Sequence, residues 1–152
     1  MRKVNKKNSG QGLIEMMVAI MVLVSIATGL LVAVTVALKN VEFAKKKAIA
    51  SICAQEAIEQ ARIERDSRVW KDDTSDDFYN FVEESGGLWA LLEGYDWEAG
   101  EPTEPNYQDV FKRRVHFEET GEDLVQVTAI CEWTDSSGTH QSQEITYLSK
   151  WK

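Results

Sequence analysis

Few side chains in this chain have the types and spacing that chemistry requires. The two histidines are His116, within a strand pattern, and His140, beside a predicted turn. Glu118 and Glu119 are an ordinary pair at a strand end, and the sequence has no nucleophile elbow, phosphate-binding loop or dinucleotide fingerprint. No His/Cys spacing of a metal site occurs either. We therefore expect no enzymatic activity, no metal and no cofactor.

The two cysteines, Cys53 and Cys131, are candidates for a disulfide, because such bonds persist in oxidising compartments outside the cytoplasm. The bridge would close a large loop and add up to a few kcal/mol in the chain-entropy model. The alternative stays open at this point, since free cysteine is also a common buried small hydrophobe.

A lone carboxylate, Glu15, stands at the start of an apolar segment from Met16 to Leu38 that contains no charge. Roughly 20 apolar residues span the hydrocarbon core of a bilayer, so the segment predicts one transmembrane helix. It is too long for the apolar core of an ordinary secretory signal. A carboxylate at the edge of lipid is either a solvated interfacial acid or a functional group, because burying its charge is costly.

The first ten residues form a basic head, and its cations predict the orientation of the chain. Cytoplasmic flanks favour Lys and Arg, so the head should stay inside and everything after Leu38 should lie outside. The whole chain has a net charge of −8, and without the four cations of the head the charge is −12 (13 basic against 25 acidic residues), so the exported part is acidic, which argues against nucleic acid as a direct partner. We expect a single-pass protein of the cytoplasmic membrane, in contact with lipid, whose head carries Arg2, Lys3, Lys6 and Lys7.

The residues Ser9-Gly10-Gln11-Gly12-Leu13-Ile14-Glu15 resemble the processing site of type IV prepilins and pseudopilins. The resemblance implies that a membrane aspartyl enzyme, the prepilin peptidase, cuts between Gly10 and Gln11 and methylates the new amino terminus. Gln11 stands where the family usually has Phe. The resemblance also implies that Glu15 acts in assembly, paired with the amine of Gln11 on a neighbouring subunit, because opposite charges in a low dielectric stabilise each other.

The helical pattern continues after Leu38, and residues 39–70 read as an amphipathic half of the same helix. We predict a helix from about Leu13 to Arg65, ended by Asp66 and Ser67, with Trp70 folding back onto the domain. Its apolar positions recur at spacings of three and four, and the small alanines favour packing on a sheet or on neighbouring helices: Ala44, Ala48, Ile49, Ile52, Cys53, Ala57, Ile58, Ala61 and Ile63.

Residues 71–107 form an acidic, aromatic connector, in which Thr74 or Ser75 can cap a short helix through about Glu84. Two alternatives stand beside a solvated acidic surface and a small aromatic core. The acids could bind calcium, although EF-hand spacing is absent. The exposed aromatics could bind a ligand. The residues concerned are Asp72, Asp73, Asp76 and Asp77 for calcium, and Trp89, Tyr95 and Trp97 for a ligand.

Residues 108–152 predict a small antiparallel sheet of three strands, Val110–Glu118, Leu124–Thr134 and Thr139–Trp151. Asp135-Ser136-Ser137-Gly138 is a hairpin turn between the last two strands. This region resembles the C-terminal sheet of V-type minor pilins and I-type pseudopilins. In the middle strand, apolar residues alternate with polar ones, so that Val125, Val127, Ala129 and Cys131 share one face.

Together these patterns predict an α+β pilin fold, in which a long N-terminal helix packs on the sheet. The segments are a leader (1–10), a transmembrane half-helix (11–38), an amphipathic half-helix (39–70), the connector (71–107) and the sheet (108–152). The resemblance implies a structural, minor subunit of an extracytoplasmic type IV pilus-like filament. Its expected partners are the prepilin peptidase, other pilin subunits, and, indirectly, an inner-membrane assembly platform with its ATPase. Two alternatives stand beside it: a pseudopilin of a type II secretion or DNA-uptake system, and a signal-anchored extracytoplasmic binding protein.

Overall fold

The computed structural model describes residues 9–71, 77–121 and 123–150, without side chains for 9–11 and 85. The chain divides into two compact units, 1–43 and 44–152. Helix α1 runs from Ser9 to Ser67, so it begins earlier and ends later than the predicted Leu13 to Arg65. Leu, Ala, Ile, Met and Glu are frequent along it, and it contains no proline, which agrees with a long uninterrupted helix.

The first part of α1 is exposed along its whole described length. Every described side chain from Gly12 to Lys45 is exposed. The helix is long and apolar enough to cross a membrane, as predicted. Apolar side chains that find no core within their own chain must be covered by lipid or by other proteins.

The second part of α1 contributes its small residues to the core of the second unit. The buried positions recur every three or four residues and are mostly alanines. This confirms four of the predicted packing positions, Cys53, Ala57, Ile58 and Ala61, whereas the prediction was wrong for the exposed Ala44, Ala48, Ile52 and Ile63. Small side chains let the helix approach the sheet closely, because little volume separates the two backbones. The buried residues of this face are Ala50, Cys53, Ala54, Ala57, Ile58 and Ala61.

The end of α1 follows the predicted chemistry. The Ser67 hydroxyl donates a hydrogen bond to the Glu64 carbonyl at 2.9 Å, satisfying an acceptor that the helix end leaves open. Trp70 is buried and packs against Phe78 and Tyr79, with ring centroids 5.4 Å and 5.7 Å away. The fold-back of Trp70 is therefore confirmed.

A short helix, α2 (Phe78–Glu83), follows and is capped by Asp77, not by Thr74 or Ser75. The Asp77 carboxylate accepts a hydrogen bond from the Asn80 backbone nitrogen at 2.7 Å, and the aspartate is almost fully buried. The predicted cap was wrong because the helix starts three residues later than the first hydroxyl allows. Thr74 and Ser75 themselves lie outside the described residues.

The sheet has five antiparallel strands in the order β2-β1-β3-β4-β5, where three were predicted. The three predicted strands exist with shifted ends, as β3 (Lys112–Gly121), β4 (Leu124–Asp135) and β5 (Gly138–Ser149). Two further strands, β1 (Leu88–Leu91) and β2 (Trp97–Ala99), come from the connector. The connector is therefore part of the sheet, and Trp151 of the predicted last strand lies outside the described residues.

Strand β4 lies inside the sheet and carries most of its buried face. Val125, Val127, Ala129 and Cys131 are fully buried on one side, as the alternation predicted. The predicted hairpin is confirmed, with Asp135 opposite Gly138 at the start of the β4–β5 register. The second unit thus has an α+β layout, in which the end of the long helix packs on a small antiparallel sheet.

Candidate functional site

The predicted processing and assembly residues lie at the N-terminal end of α1. Gly10 and Gln11 have helical backbone, and their side chains are outside the described part of the structure. Glu15 is exposed on the helix, and no hydrogen bond or ion pair joins it to another described residue. Its carboxylate lies next to the uncharged stretch that starts at Met16.

A disulfide joins Cys53 of α1 to Cys131 of β4, with 6.2 Å between their Cα atoms. Both cysteines are fully buried. The bond fastens the small-residue face of the helix to the middle of the buried sheet face. The linked positions are 78 residues apart, so the bond restricts a large part of the unfolded chain.

A buried arginine, Arg113, ties the region after β1 to the rest of the domain. Its Nε donates to the Leu91 carbonyl at 3.0 Å, and its Nη2 donates to the Leu92 carbonyl at 2.6 Å. The Asn106 side chain brackets the Arg113 backbone, donating to its carbonyl at 2.9 Å and accepting from its nitrogen at 2.6 Å. The long segment before β3 is therefore held by specific hydrogen bonds rather than by regular structure.

The Arg113 guanidinium faces the Glu56 carboxylate and two tyrosine rings, with the Tyr95 ring centroid 5.9 Å away. Nη1 lies 3.6 Å from the Glu56 carboxylate on α1, and the guanidinium stands 4.7 Å over the Tyr107 ring. Burial lowers the pKa of Arg113, and the neighbouring Glu56 opposes this shift. Burial also raises the pKa of Tyr107, whose hydroxyl bonds to Glu56, which keeps the phenol neutral.

A groove of about 370 Å³ opens beside α1 at this point. One wall is the exposed side of the helix, and the other is the Tyr95 ring from the turn after β1. This groove, called the Tyr95 groove below, is lined by Ile52, Gln55, Glu56, Glu59, Gln60 and Tyr95.

The aromatic residues that could form a ligand surface lie in two different environments. Trp89 is buried and stacks on Phe81, with ring centroids 4.3 Å apart. Trp97 packs edge-on against the same phenylalanine at 5.6 Å and belongs to the rim of the core. Only Tyr95 of the three is half exposed. The interpretation that these aromatics complete a small core holds for both tryptophans.

The β4–β5 turn brings together an aspartate, a serine and a histidine. The Asp135 carboxylate accepts from the Ser137 hydroxyl and backbone nitrogen, which lowers the pKa of Asp135 to about 2. His140 Nε2 lies 3.0 Å from the Ser137 hydroxyl and 3.2 Å from the Asp135 carboxylate. In a hydrolytic triad the acid and the serine bond opposite ring nitrogens, whereas here both contact Nε2. The contacts among these three side chains therefore stabilise the β4–β5 turn.

The acidic connector shows no cation site in its described part. Asp72, Asp73 and Asp76, weighed for calcium, lie outside the described residues, and the buried Asp77 is committed to capping α2. Across residues 9–71, 77–121 and 123–150, no three His, Cys, Asp or Glu side chains are grouped as metal ligands.

Comparisons with family models, curated proteins and solved structures found no match for this chain. The chemistry of the molecule therefore has to be argued from its own residues. Sequence reasoning missed Arg113 and the Tyr95 groove. The two walls of that groove are contributed by segments 35 or more residues apart, and no local pattern signals such a contact.

Proposed function

We propose that this chain is a structural subunit, and a minor one, of a type IV pilus-like filament outside the cytoplasm. The prepilin peptidase cuts it after Gly10, and the N-terminal helix then serves first as a membrane anchor and later as the assembly element. One observation carries the proposal: a single helix whose first part is apolar and exposed, and whose second part forms the core of an α+β domain.

The exposed apolar surface supports assembly as well as anchoring. Large apolar side chains from Leu13 to Val41 surround the helix on all sides. A surface of this kind is stable in lipid, and it is equally stable when the helices of many subunits bundle and exclude water. Extraction from membrane to filament then exchanges one apolar environment for another. Its remaining cost would be met by the assembly ATPase acting through the inner-membrane platform.

Glu15 can set the position of a subunit as it leaves the membrane and enters the filament. A carboxylate carried into a bundle of apolar helices needs a cation, and the nearest one on offer is the amine created by cleavage before Gln11 of a neighbouring subunit. Four helical residues separate these positions, about 6 Å along the axis, so the ion pair sets a small axial offset between neighbours.

The test replaces Glu15 and measures incorporation into sheared filaments. Glu15→Gln keeps the shape and removes the charge, so we expect normal cleavage and loss of incorporation by tenfold or more, taking about 1.4 kcal/mol as a lower bound for the buried pair. Glu83→Gln, an exposed acid at the end of α2, is the matched control and should incorporate normally. Wild-type incorporation of the Glu15→Gln subunit would remove Glu15 from the assembly mechanism.

A further inference from the structure

The Tyr95 groove has the chemistry of a slot for a lysine side chain. Tyr95 is 50% exposed and supplies an aromatic wall, with the buried Arg113 guanidinium 5.9 Å from its ring centroid, while Ile52 is 53% exposed and supplies an aliphatic wall. The mouth carries the Glu56 and Glu59 carboxylates together with two glutamine amides. An aliphatic stem packs well between an aromatic and an isoleucine, and its ammonium is attracted by ring and carboxylate together.

Tyr95 lies in a turn that hydrogen bonds hold in place. Tyr95 has a left-handed backbone conformation, with φ of 62°, and its nitrogen donates to the Leu92 carbonyl at 3.0 Å. The same carbonyl accepts from Arg113, which is buried to about one per cent exposure. Non-glycine residues adopt this conformation rarely, so the surrounding hydrogen bonds keep the turn and its ring in position.

Glu59 is the carboxylate that remains available to a ligand. Glu56 already faces Arg113, whereas Glu59 is 62% exposed and, among the described residues, pairs with Arg62 alone, at 2.7 Å on the same helix face. Exposed pairs at this spacing contribute little, so Glu59 can exchange Arg62 for an incoming ammonium at small cost.

The chain itself carries the matching cations, in the run Lys45-Lys46-Lys47 of α1. Lys45 and Lys47 are exposed, and no ion pair in the described part of the chain includes either of them. About 200° of helix rotation separates them, so the run presents an ammonium on two sides. Every arginine of the described ranges is already in an ion pair: Arg62, Arg65, Arg68, Arg113 and Arg114.

A subunit cannot fill its own groove with these lysines. Lys47 precedes Glu56 by nine residues, about 14 Å along the helix, and an extended lysine side chain reaches roughly half of that. We propose that the Tyr95 groove receives Lys45 or Lys47 from a neighbouring copy of this chain, so that copies of this minor subunit lie side by side in the filament. This inference rests on the proposed function, and it predicts an axial offset of about 14 to 21 Å between the two helices concerned, which are therefore a different pair of neighbours from the pair joined through Glu15.

Zero-length carbodiimide crosslinking tests the contact without any substitution. Cells are shifted from light to heavy nitrogen during growth, so that filaments mix both forms, and the crosslinked peptides are identified by mass spectrometry. We expect light–heavy hybrid peptides that join Lys45 or Lys47 to Glu59 or Glu56. Filaments that contain the subunit but yield no such hybrids would overturn the inference and leave the proposed function standing. Absence of the subunit from filaments would overturn both.

Charge reversal tests the same contact through the amount of subunit incorporated into filaments. Glu59→Lys should reduce incorporation about fivefold or more, because attraction becomes repulsion, while Glu83→Lys should leave it unchanged. Adding Lys45→Glu and Lys47→Glu to the Glu59→Lys chain should restore incorporation. Equal behaviour of Glu59→Lys and Glu83→Lys, or failure of the combined reversal to rescue a soundly folded chain, would contradict the contact.

Discussion

Replacing the buried Arg113 by Met is expected to destabilise the second unit strongly. The substitution preserves much of the side-chain volume and removes both donors, leaving the Leu91 and Leu92 carbonyls without the hydrogen bonds at 3.0 and 2.6 Å. Hydrogen bonds from a charged donor contribute about 1.5 to 3 kcal/mol each. Losing both hydrogen bonds should therefore lower the free energy of unfolding by at least about 3 kcal/mol.

Removing Arg113 also leaves Glu56 without its partner, and this costs less stability than leaving a fully buried charge unpaired would. Glu56 faces Arg113 at 3.6 Å, but its side chain is 38% exposed, so water can solvate the orphaned carboxylate. Removing one partner of a fully buried pair costs about 3 to 5 kcal/mol. With this discount, we expect Arg113→Met to lower the free energy of unfolding by about 3 to 4 kcal/mol.

The assay is equilibrium urea unfolding of the full chain in detergent micelles, followed by tryptophan fluorescence. Trp70, Trp89 and Trp133 are buried in the second unit, so the emission reports on its folding. Arg114→Met is the matched control. This neighbour is partly exposed and pairs with Glu101 on the surface, so its loss should cost below about 1 kcal/mol. Similar costs for the two substitutions would refute the role assigned to Arg113.

Three further predictions concern separate parts of the second unit. Gly87→Ala should destabilise it by about 2 kcal/mol or more, because φ is +77° and an added Cβ would collide with a backbone carbonyl of β3. Gly86 also has a positive φ, +66°, but open space around it, so Gly86→Ala in the same urea assay is the control for the collision and should cost less. Reduction, or joint replacement of Cys53 and Cys131 by Ala, should cost about 4 kcal/mol for a separation of 78 residues, measured as the shift in unfolding free energy. Ser137→Ala should raise the pKa of Asp135 from about 2 toward its ordinary value, seen by carbon NMR of the carboxyl group. Because that pKa is lowered on folding, the stabilisation is present above pH 3.8 and is lost as the pH falls toward 2; a pKa unmoved by Ser137→Ala would contradict the assigned cause.

The parts of the fold that follow from the sequence are those with long, regular periods. Apolar residues at spacings of three and four predicted part of the buried face of α1, from Cys53 to Ala61, and strict alternation from Val125 to Cys131 predicted β4. Asp135 to Gly138 predicted the hairpin through ordinary turn chemistry. In each case one local sequence pattern is enough to predict the element.

Two strands were missed because their patterns are too short. Leu88–Leu91 is an apolar run of four residues between glycine turns, and Trp97–Ala99 has three residues. Runs of this length do not distinguish a strand from a loop or a buried turn. They become strands here because β1 can pair with β3, a contact that is distant in sequence.

The candidate site divides in the same way. Gly10, Gln11 and Glu15 form one contiguous motif and could be recognised locally. The Arg113 network joins residues from α1, the end of β1 and β3, so its members have no common spacing. A charged residue inside a strand pattern was the available signal, since a buried arginine requires partners.

The most direct test of the pilin assignment is intact-mass and N-terminal analysis of the chain from membranes and from sheared surface material, with and without the prepilin peptidase. A mature chain that begins at methylated Gln11 and is found in the sheared filaments is the expected result. A chain that keeps residues 1–10 in the presence of an active peptidase would contradict it.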